Sequence, residues 1–182
     1  VLAPYDAELF GHWWYEGPWF IDFFFRKSWH DQHTYQMTHL ADYLRAEPTQ
    51  QVCRPSQSSW GYKGFHEYWL NETNAWVYPH LHKGAERMID LARMEPADEL
   101  QWRALNQAAR ELLLAQSSDW AFIMRTGTMV PYAIRRTRSH LVRFHKLYEE
   151  LKEGKVDSGW LEKIESMDNI FPSINYRTYR PL

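Results

Sequence analysis

A length of 182 residues is enough for about one domain, whose hydrophobic core needs no disulfide or metal to support it. The formal net charge of −2, with both signs mixed along the chain, argues against a nucleic-acid-binding surface and against a polybasic membrane anchor. The longest apolar run, residues 19–25, is interrupted by Asp22 and is far too short to span a membrane. Cys53 is the only cysteine, so no internal disulfide can form, which fits the cytoplasmic location that we predict.

The start of the chain predicts a strand, a loop and a helix. Val1–Ala3 is a short apolar strand that Pro4 ends, and residues 5–15 form a loop dense in functional side-chain types. Gly17-Pro18 is typical of a helix start, because proline is favoured at the first helical position. Trp19–Trp29 is then helical, and because it is apolar almost all round, we expect this helix to be largely buried.

The next part of the chain predicts less regular structure. A second helix over Thr34–Ala46 is halted by Pro48, and a short strand could follow at Gln51–Arg54. Residues 55–73 form a loop rich in serine, glycine and aromatic side chains. Loops of that length within a compact domain are usually functional, so we expect this loop to contribute to a binding site.

The remainder of the chain predicts a group of packed helices, so the fold class is mainly α. Helical spacing of apolar residues is clearest over Glu99–Ser117 and over Val130–Lys152, which Gly154 ends. We expect a break between these two helices, at Ser117–Thr128. The other predicted helices cover residues 74–94 and 158–167, and the tail of residues 169–182 is irregular.

Asp6 is the first candidate for chemistry, because it follows the predicted strand directly. In parallel α/β barrels, the carboxyl end of each strand opens into the active site. Glycosidic cleavage needs a carboxyl group that donates a proton to the leaving oxygen, and it needs a second carboxylate as well. Glu8 lies two residues further on and could point to the same side of an extended segment. The alternative is that Asp6 is a helix cap or salt-bridge residue and that Glu8 forms an ion pair.

Aromatic side chains make up 16% of the residues, and many of them lie beside polar residues instead of within apolar periods. The C–H faces of a sugar ring stack on aromatic faces, while its hydroxyl groups need polar partners. His12, Trp13 and Trp14 follow the candidate carboxylate and offer both kinds of contact. Trp60 and Trp69 could form a second binding wall in the glycine-rich loop. The alternatives are a core cluster and a packed surface loop.

Asp119 and Trp120 lie in the predicted break between two helices. An aspartate there caps a helix by default, although an acidic residue followed by tryptophan could also contact a sugar. His80 and His82 are two positions apart, and such residues do not share a face of a helix, so they are poor co-ligands. Because the sequence has neither a cysteine pair nor an HExxH pattern, we predict no metal and no cofactor.

Three long segments of the chain resemble glycoside hydrolase family 57. Residues 3–18, APYDAELFGHWWYEGP, resemble its fourth signature region, most closely that of the 1,4-α-glucan branching enzymes and of their relatives described as amylases. The loop SSWGYKGFHEYWLNETNAWVYPHLH and the run LNQAARELLLAQSSDWAFIMRTGTMVPYA resemble the C-terminal helical region of the same subgroup. The resemblance itself covers almost the whole chain, so we expect a C-terminal portion of such an enzyme.

The resemblance implies a fold and a mechanism. The fold is a helical C-terminal domain attached to the last strand or strands of an incomplete (β/α)7 barrel. Residues 1–50 would then be the end of the barrel with the acid/base loop, and residues 51–182 the helical domain. The mechanism is a retaining reaction of two carboxylates on α-1,4-glucans such as amylose and glycogen.

The resemblance also implies a role for each candidate residue. Asp6 matches the general acid/base of the family by its place in YDAELFGHWW. The implied substrate-binding residues are His12, Trp13 and Trp14 beside it, Trp60 and Trp69 in an aromatic wall on the acceptor side, and Asp119 and Trp120 in the fifth signature region.

One catalytic residue of the family has no counterpart here. Its nucleophile is a glutamate on an earlier barrel strand, and Glu8, Glu16 and Glu67 do not match that place. Because a retaining mechanism needs two carboxylates, we expect an N-terminal barrel portion of the same enzyme to supply the nucleophile. The alternatives are an α-amylase or 4-α-glucanotransferase of the same family, or a non-catalytic glucan-binding helical module.

Overall fold

The computed structural model describes residues 2–181, which are mainly α-helical, as the sequence predicts. No strand is present among these residues. Val1 lies outside them, while the rest of the predicted strand at Val1–Ala3 is irregular, and the strand predicted at Gln51–Arg54 is wrong because that segment is irregular too. A strand needs a neighbour that completes its backbone hydrogen bonds, and the described residues offer neither segment one.

The chain divides into two compact units, residues 1–55 (the N-terminal unit) and residues 56–182 (the helical unit). The N-terminal unit contains helices α1 (Gly17–His30) and α2 (Leu40–Ala46). A wide helical turn at Leu9–Trp13 interrupts the predicted loop before α1. A Cβ atom on Gly17 would lie 3.1 Å from the Cα of Phe10, so glycine lets α1 begin close against this turn.

The prediction that the first helix is largely buried is wrong for the described residues. Within α1 only Gly17 and Ser28 are buried. Phe20, Phe23 and Phe24 are 48%, 61% and 42% exposed, and we call these three residues the α1 aromatic face. A helix that is apolar all round needs cover on every side, and the N-terminal unit covers only a small part of α1.

The second predicted helix begins six residues late, at Leu40 instead of Thr34. The side chain of Gln32 holds the preceding segment in an irregular conformation. Its Oε1 accepts hydrogen bonds from the backbone N–H groups of Thr34 (2.7 Å) and Tyr35 (3.1 Å), and its Nε2 donates to the carbonyl of Tyr35 (2.9 Å). Backbone groups that bond a side chain in this way are not available to a helix.

Residues 56–181 of the helical unit contain five α-helices, four of them close to predicted positions. The expected break at Ser117–Thr128 is wrong, because residues 118–126 form a helix of their own that ends at Gly127 with a φ of 83°. The five helices are α3 (Val77–Ala92), α4 (Glu99–Ala115), α5 (Ser118–Thr126), α6 (Val130–Glu153) and α7 (Ser158–Met167). None of the helices in residues 2–181 is long and apolar enough to cross a bilayer.

The core of the helical unit forms around α4. Leu105 and Leu112 of α4 are fully buried, together with Phe144 of α6. Gly84 lets α3 approach closely, since a Cβ atom there would lie 2.9 Å from Cδ1 of Leu112. Tyr176 from the irregular tail enters the same core and donates its hydroxyl to the carbonyl of Met94 at 3.0 Å, which holds the tail against the helices.

A buried ionic cluster crosses this core. The Glu111 carboxylate of α4 lies 2.7 Å from Nδ1 of His140 on α6, and both side chains are fully buried. Asp168, just after α7, pairs with Arg143 and with Arg136. Burial raises the pKa of the Glu111 carboxyl, although its hydrogen bonds from His140 and Gln107 act in the opposite direction.

We expect Phe144→Ala to lower the free energy of unfolding by about 3–5 kcal/mol, because it leaves a cavity in the centre of the core. Urea denaturation of the purified chain measures this change. Val142→Ala on the same helix is the control, because Val142 is 67% exposed and its loss should change stability by less than about 0.5 kcal/mol. Equal effects of the two substitutions would contradict the described packing of α6.

We expect the contribution of Glu111 to stability to depend on pH. Because its pKa is raised in the folded chain, this contribution is fully present below the ordinary value of 4.5 and is lost as the pH rises through the folded pKa. Glu111→Gln cannot ionise, so the stability of the parent chain relative to this variant should fall as the pH rises from 4.5. Urea denaturation at a series of pH values tests this, and a difference that does not vary with pH would refute it.

Candidate functional site

The carboxylate of Asp6 is exposed and lies in an open cavity of about 440 Å³ on the N-terminal unit. The cavity is also lined by Tyr5, Glu8 and Trp13. Within residues 2–181, the carboxylates of Asp6 and Glu8 make no hydrogen bond and no ion pair, so neither acts as the helix cap or salt-bridge residue of the alternative interpretation. The backbone carbonyl of Asp6 accepts a hydrogen bond from Leu9 at 3.2 Å, which fixes the start of the turn.

The three residues predicted beside Asp6 have two different environments. Trp13 is 74% exposed, and the exposed ring of His12 lies against it with ring centroids 5.4 Å apart. Trp14 instead is half-buried between Phe10 and Phe20, at centroid distances of 5.9 and 5.0 Å. His12 and Trp13 are therefore placed to contact a ligand directly, whereas Trp14 supports the turn from behind.

The glycine-rich loop of the helical unit brings Trp60 and Trp69 together, with ring centroids 6.2 Å apart. Trp60 is 75% exposed and Trp69 is half-buried. Tyr68 and Phe122 complete the cluster, since the ring of Phe122 lies 5.3 Å from Tyr68 and 6.2 Å from both tryptophans. We call these four residues the aromatic wall. Sequence reasoning missed Phe122, because α5 was expected to be a break.

A buried asparagine fixes the loop against α5. Nδ2 of Asn74 donates to the carbonyls of Tyr68 (2.9 Å) and Ala121 (3.1 Å), and its Oδ1 accepts from the backbone N–H of Asn71 (2.9 Å). Asn74 is fully buried, and a buried amide without partners would cost about 1–3 kcal/mol. These bonds therefore hold Tyr68 of the loop and Phe122 of α5 in one arrangement.

Two further features shape the loop. A Cβ atom on Gly61 would lie 2.4 Å from the carbonyl oxygen of Phe65 and 2.9 Å from the ring of Trp69, so only glycine lets the loop fold this tightly. On the surface, Glu67 forms an ion pair with Arg125 of α5 at 2.9 Å. This surface ion pair adds little stability, but like the buried Asn74 contacts it joins the loop to α5.

Asp119 and Trp120 lie in the first turn of α5. Asp119 is exposed. Trp120 is half-buried, its indole N–H donates to the carbonyl of Leu114 at 2.7 Å, and its ring meets the edge of Tyr132 at 5.9 Å. Because the polar atom of Trp120 is already satisfied within the chain, Asp119 is the better placed of the two for a direct ligand contact.

The cluster of Glu111, His140 and Asp168 contains the donor types that metals prefer, with ligand atoms within 4.8 Å of one another. However, the guanidinium of Arg143 pairs with Asp168, and the amide of Gln107 donates to Glu111 at 2.9 Å. These partners already satisfy the two carboxylates, so we interpret the cluster as a structural ionic network. The other metal candidates, His80 and His82, are exposed on α3.

Comparison with known proteins identifies a family for more than half of the chain. The family described as "1,4-alpha-glucan branching enzyme, C-terminal" matches residues 80–179. A 1,4-alpha-glucan branching enzyme of Thermococcus kodakarensis is 36% identical in a gapped alignment of 180 residues that covers 94% of this chain and 26% of that protein. A probable 1,4-alpha-glucan branching enzyme of Mycobacterium tuberculosis is 26% identical in a gapped alignment of 194 positions that covers 97% of this chain and 35% of that protein.

Solved structures agree with this result. The branching enzyme of Thermococcus kodakaraensis, crystallised with glucose, superposes with a TM-score of 0.77 at 34% identity, over all of this chain and 34% of that one. The branching enzyme of Pyrococcus horikoshii, described as GH57-type, gives 0.75 at 34% identity, over all of this chain and 35% of that one. An alpha-amylase of Thermotoga maritima, AmyC, gives 0.71 at 42% identity, over all of this chain and 33% of that one.

In every comparison the chain spans only about a quarter to a third of the relative's length. The matched portion nevertheless covers nearly all of this chain, at identities of 34% or more in all three solved structures. This chain therefore belongs to the 1,4-alpha-glucan branching enzyme C-terminal family, within glycoside hydrolase family 57.

Proposed function

We propose that this chain is the part of a 1,4-α-glucan branching enzyme that supplies the general acid/base, Asp6, and aromatic surfaces that bind the glucan. The observation that carries the proposal is the Asp6 carboxylate, unpaired within residues 2–181, in an open cavity beside the exposed ring of Trp13. A carboxylate with no partner in the described chain can exchange a proton with a bound sugar, and the adjacent ring offers that sugar a stacking face.

The proposed reaction has two steps. A glutamate outside this chain attacks C1 of an α-1,4-linked glucosyl residue, while Asp6 donates its proton to the departing glycosidic oxygen. Asp6, now a carboxylate, then removes the proton from the 6-hydroxyl of an acceptor glucan. That oxygen attacks C1 and displaces the glutamate, which forms an α-1,6 linkage and returns both carboxyl groups to their starting states.

The aromatic wall is proposed to bind the acceptor glucan. Trp60 presents most of its indole face to solvent, and Trp69 and Phe122 support it from behind. Branching instead of hydrolysis requires that a sugar hydroxyl, and not water, reaches the glycosyl intermediate. A wall that binds the acceptor raises the local concentration of that hydroxyl, which favours transfer. Asp119, exposed at the start of α5, could hydrogen-bond the same glucan.

The proposed partner of this chain is the N-terminal barrel portion of the same enzyme, which carries the nucleophilic glutamate. The α1 aromatic face supports this proposal. Phe20, Phe23 and Phe24 lie on one side of the helix and are all at least 42% exposed. A continuous exposed apolar surface is typical of a surface that another part of a protein covers.

An α-amylase is the second candidate, because the structural relative described as an alpha-amylase has the highest identity of the three, 42%. A 4-α-glucanotransferase of the same family would use the same carboxylates. The products from amylose distinguish them: branches for the branching enzyme, new reducing ends for the amylase and redistributed linear chains for the glucanotransferase. Glucan binding without turnover, even with the barrel portion present, would instead indicate a non-catalytic binding module.

This prediction concerns the whole enzyme, which contains both this chain and the nucleophile. We expect Asp6→Asn to lower its kcat by about 10²–10⁴-fold with little change in glucan affinity, because asparagine cannot exchange the proton. Rates on amylose and binding of a linear maltooligosaccharide measure the two effects. Glu8→Gln, in the same cavity, is the matched control and should keep near-normal turnover. A near-normal rate for Asp6→Asn would remove Asp6 from the mechanism.

We expect residues 1–182 alone to form no α-1,6 linkages from amylose, because a retaining reaction needs a second catalytic carboxylate. A debranching assay on the incubated amylose detects any new branches. The positive control is the same assay with the barrel portion present. If the chain alone produced branches, the nucleophile would have to lie among its own carboxylates.

A further inference from the structure

The N-terminal unit contains a second and larger cavity, of about 850 Å³, at the C-terminal end of α1. Its walls include Phe25 and Trp29 of α1 and His33, Tyr35 and Gln36 of the segment that follows. Small-molecule sites commonly have volumes of about 300–1,000 Å³ and combine aromatic faces with a few polar groups. The reaction proposed for Asp6 makes no use of this cavity.

The segment that closes the cavity is held in place by hydrogen bonds of Ser28, Gln32 and Tyr35. The hydroxyl of Ser28, which is buried, donates to the carbonyl of Phe24 at 2.7 Å and lies 3.0 Å from the hydroxyl of Tyr35. The amide of Gln32 bonds the backbone of Thr34 and Tyr35 and also that of Ser28. A second helix was expected to begin at Thr34, but the segment instead folds back onto α1, and this creates the cavity.

Three lining side chains remain available to a ligand. Trp29 is 72% exposed. In the described part of the chain, the indole N–H of Trp29 and the side chains of His33 and Gln36 make no hydrogen bonds. A broad aromatic face beside an imidazole and a carboxamide is suited to a sugar, because the ring covers the C–H face while the polar groups meet the hydroxyls.

The cavity is separate from the Asp6 site within the same unit. Asp6 precedes the N-terminal end of α1, and α1 has 14 residues, which gives a length of about 21 Å. At 3.6 residues per turn, Phe25 and Trp29 project from the side of α1 opposite to Phe20 and Phe23. A partner that covers only Phe20 and Phe23 would therefore not contact Trp29.

We propose that this cavity binds a segment of α-1,4-glucan distant from the reacting bond, with a glucosyl ring stacked on Trp29 and its hydroxyls bonded by His33 and Gln36. The choice of ligand rests on the proposed function. Such a site holds a long polymer on the enzyme between turnovers, which raises the local concentration of donor and acceptor chains without contacting the atoms that react.

The test uses the 182-residue chain labelled with 5-fluorotryptophan and followed by fluorine NMR during titration with maltoheptaose. The resonances of Trp29, Trp60 and Trp19 are assigned by their loss in the corresponding Trp→Phe variants. We expect a saturable shift of the Trp29 resonance and no shift of Trp19, an exposed tryptophan of the same helix outside the cavity. Gln36→Ala should weaken the affinity measured at Trp29 by about fivefold and leave that at Trp60 unchanged.

The outcomes separate this inference from the proposed function. A shift at Trp60 with none at Trp29 overturns the second site and leaves the aromatic wall intact. A shift at Trp29 with none at Trp60 supports the second site and contradicts the wall. Equal shifts at Trp29 and Trp19, or an affinity at Trp29 that Gln36→Ala does not change, overturn the inference because the binding is then not specific to the cavity. No shift at either Trp29 or Trp60 overturns both.

Discussion

The burial of α4 on nearly all sides is the constraint on which the helical unit depends. Its polar side chains are buried along with its apolar ones, and a buried polar group without a partner costs about 1–3 kcal/mol. Each of them therefore bonds a group from another element or from α4 itself. The contacts between elements are Asn106 to the backbone of Tyr176, Gln107 to Asp168, Arg110 to Phe171, and Glu111 to His140. Apolar packing alone would allow the helices to slide, whereas these bonds define one register for α6 and the tail.

Hydrogen bonds of buried polar groups also fix the arrangement of the candidate binding surface. α5 follows α4 after a single turn, so the position of α4 determines where Phe122 lies. The amide of Asn74 then joins α5 to the loop through the carbonyls of Ala121 and Tyr68. The exposed Trp60 consequently rests on a cluster whose other members are fixed by buried bonds, and this gives an exposed ring a defined orientation.

The sequence predicts best what depends on neighbours along the chain. The periodic segments at Glu99–Ala115, Val130–Glu153 and Ser158–Met167 are helical almost to the residue, because local spacing and caps decide them. The failures depend on hydrogen bonds and packing of individual side chains, which the spacing of apolar residues does not show. The side chain of Gln32 bonds nearby backbone groups and keeps the start of the second predicted helix irregular. The roles of Asn74 and Phe122 depend on contacts between the loop and α5. The pattern of apolar and polar residues in a sequence does not reveal such contacts.

Two properties of the N-terminal unit, an unpaired carboxylate within the described residues and an exposed aromatic ring, indicate that its sequence is not selected for stability alone. The Asp6 carboxylate has no partner among the described residues, although a structural carboxylate of that kind usually forms a cap or an ion pair. On α1, Phe23 is 61% exposed, although burying such a ring stabilises a fold by about 1.5–3 kcal/mol. A unit selected only for its own stability would satisfy the first group and cover the second. Both features agree with the proposed function, in which the carboxylate takes part in a reaction and the barrel portion of the enzyme covers the aromatic face.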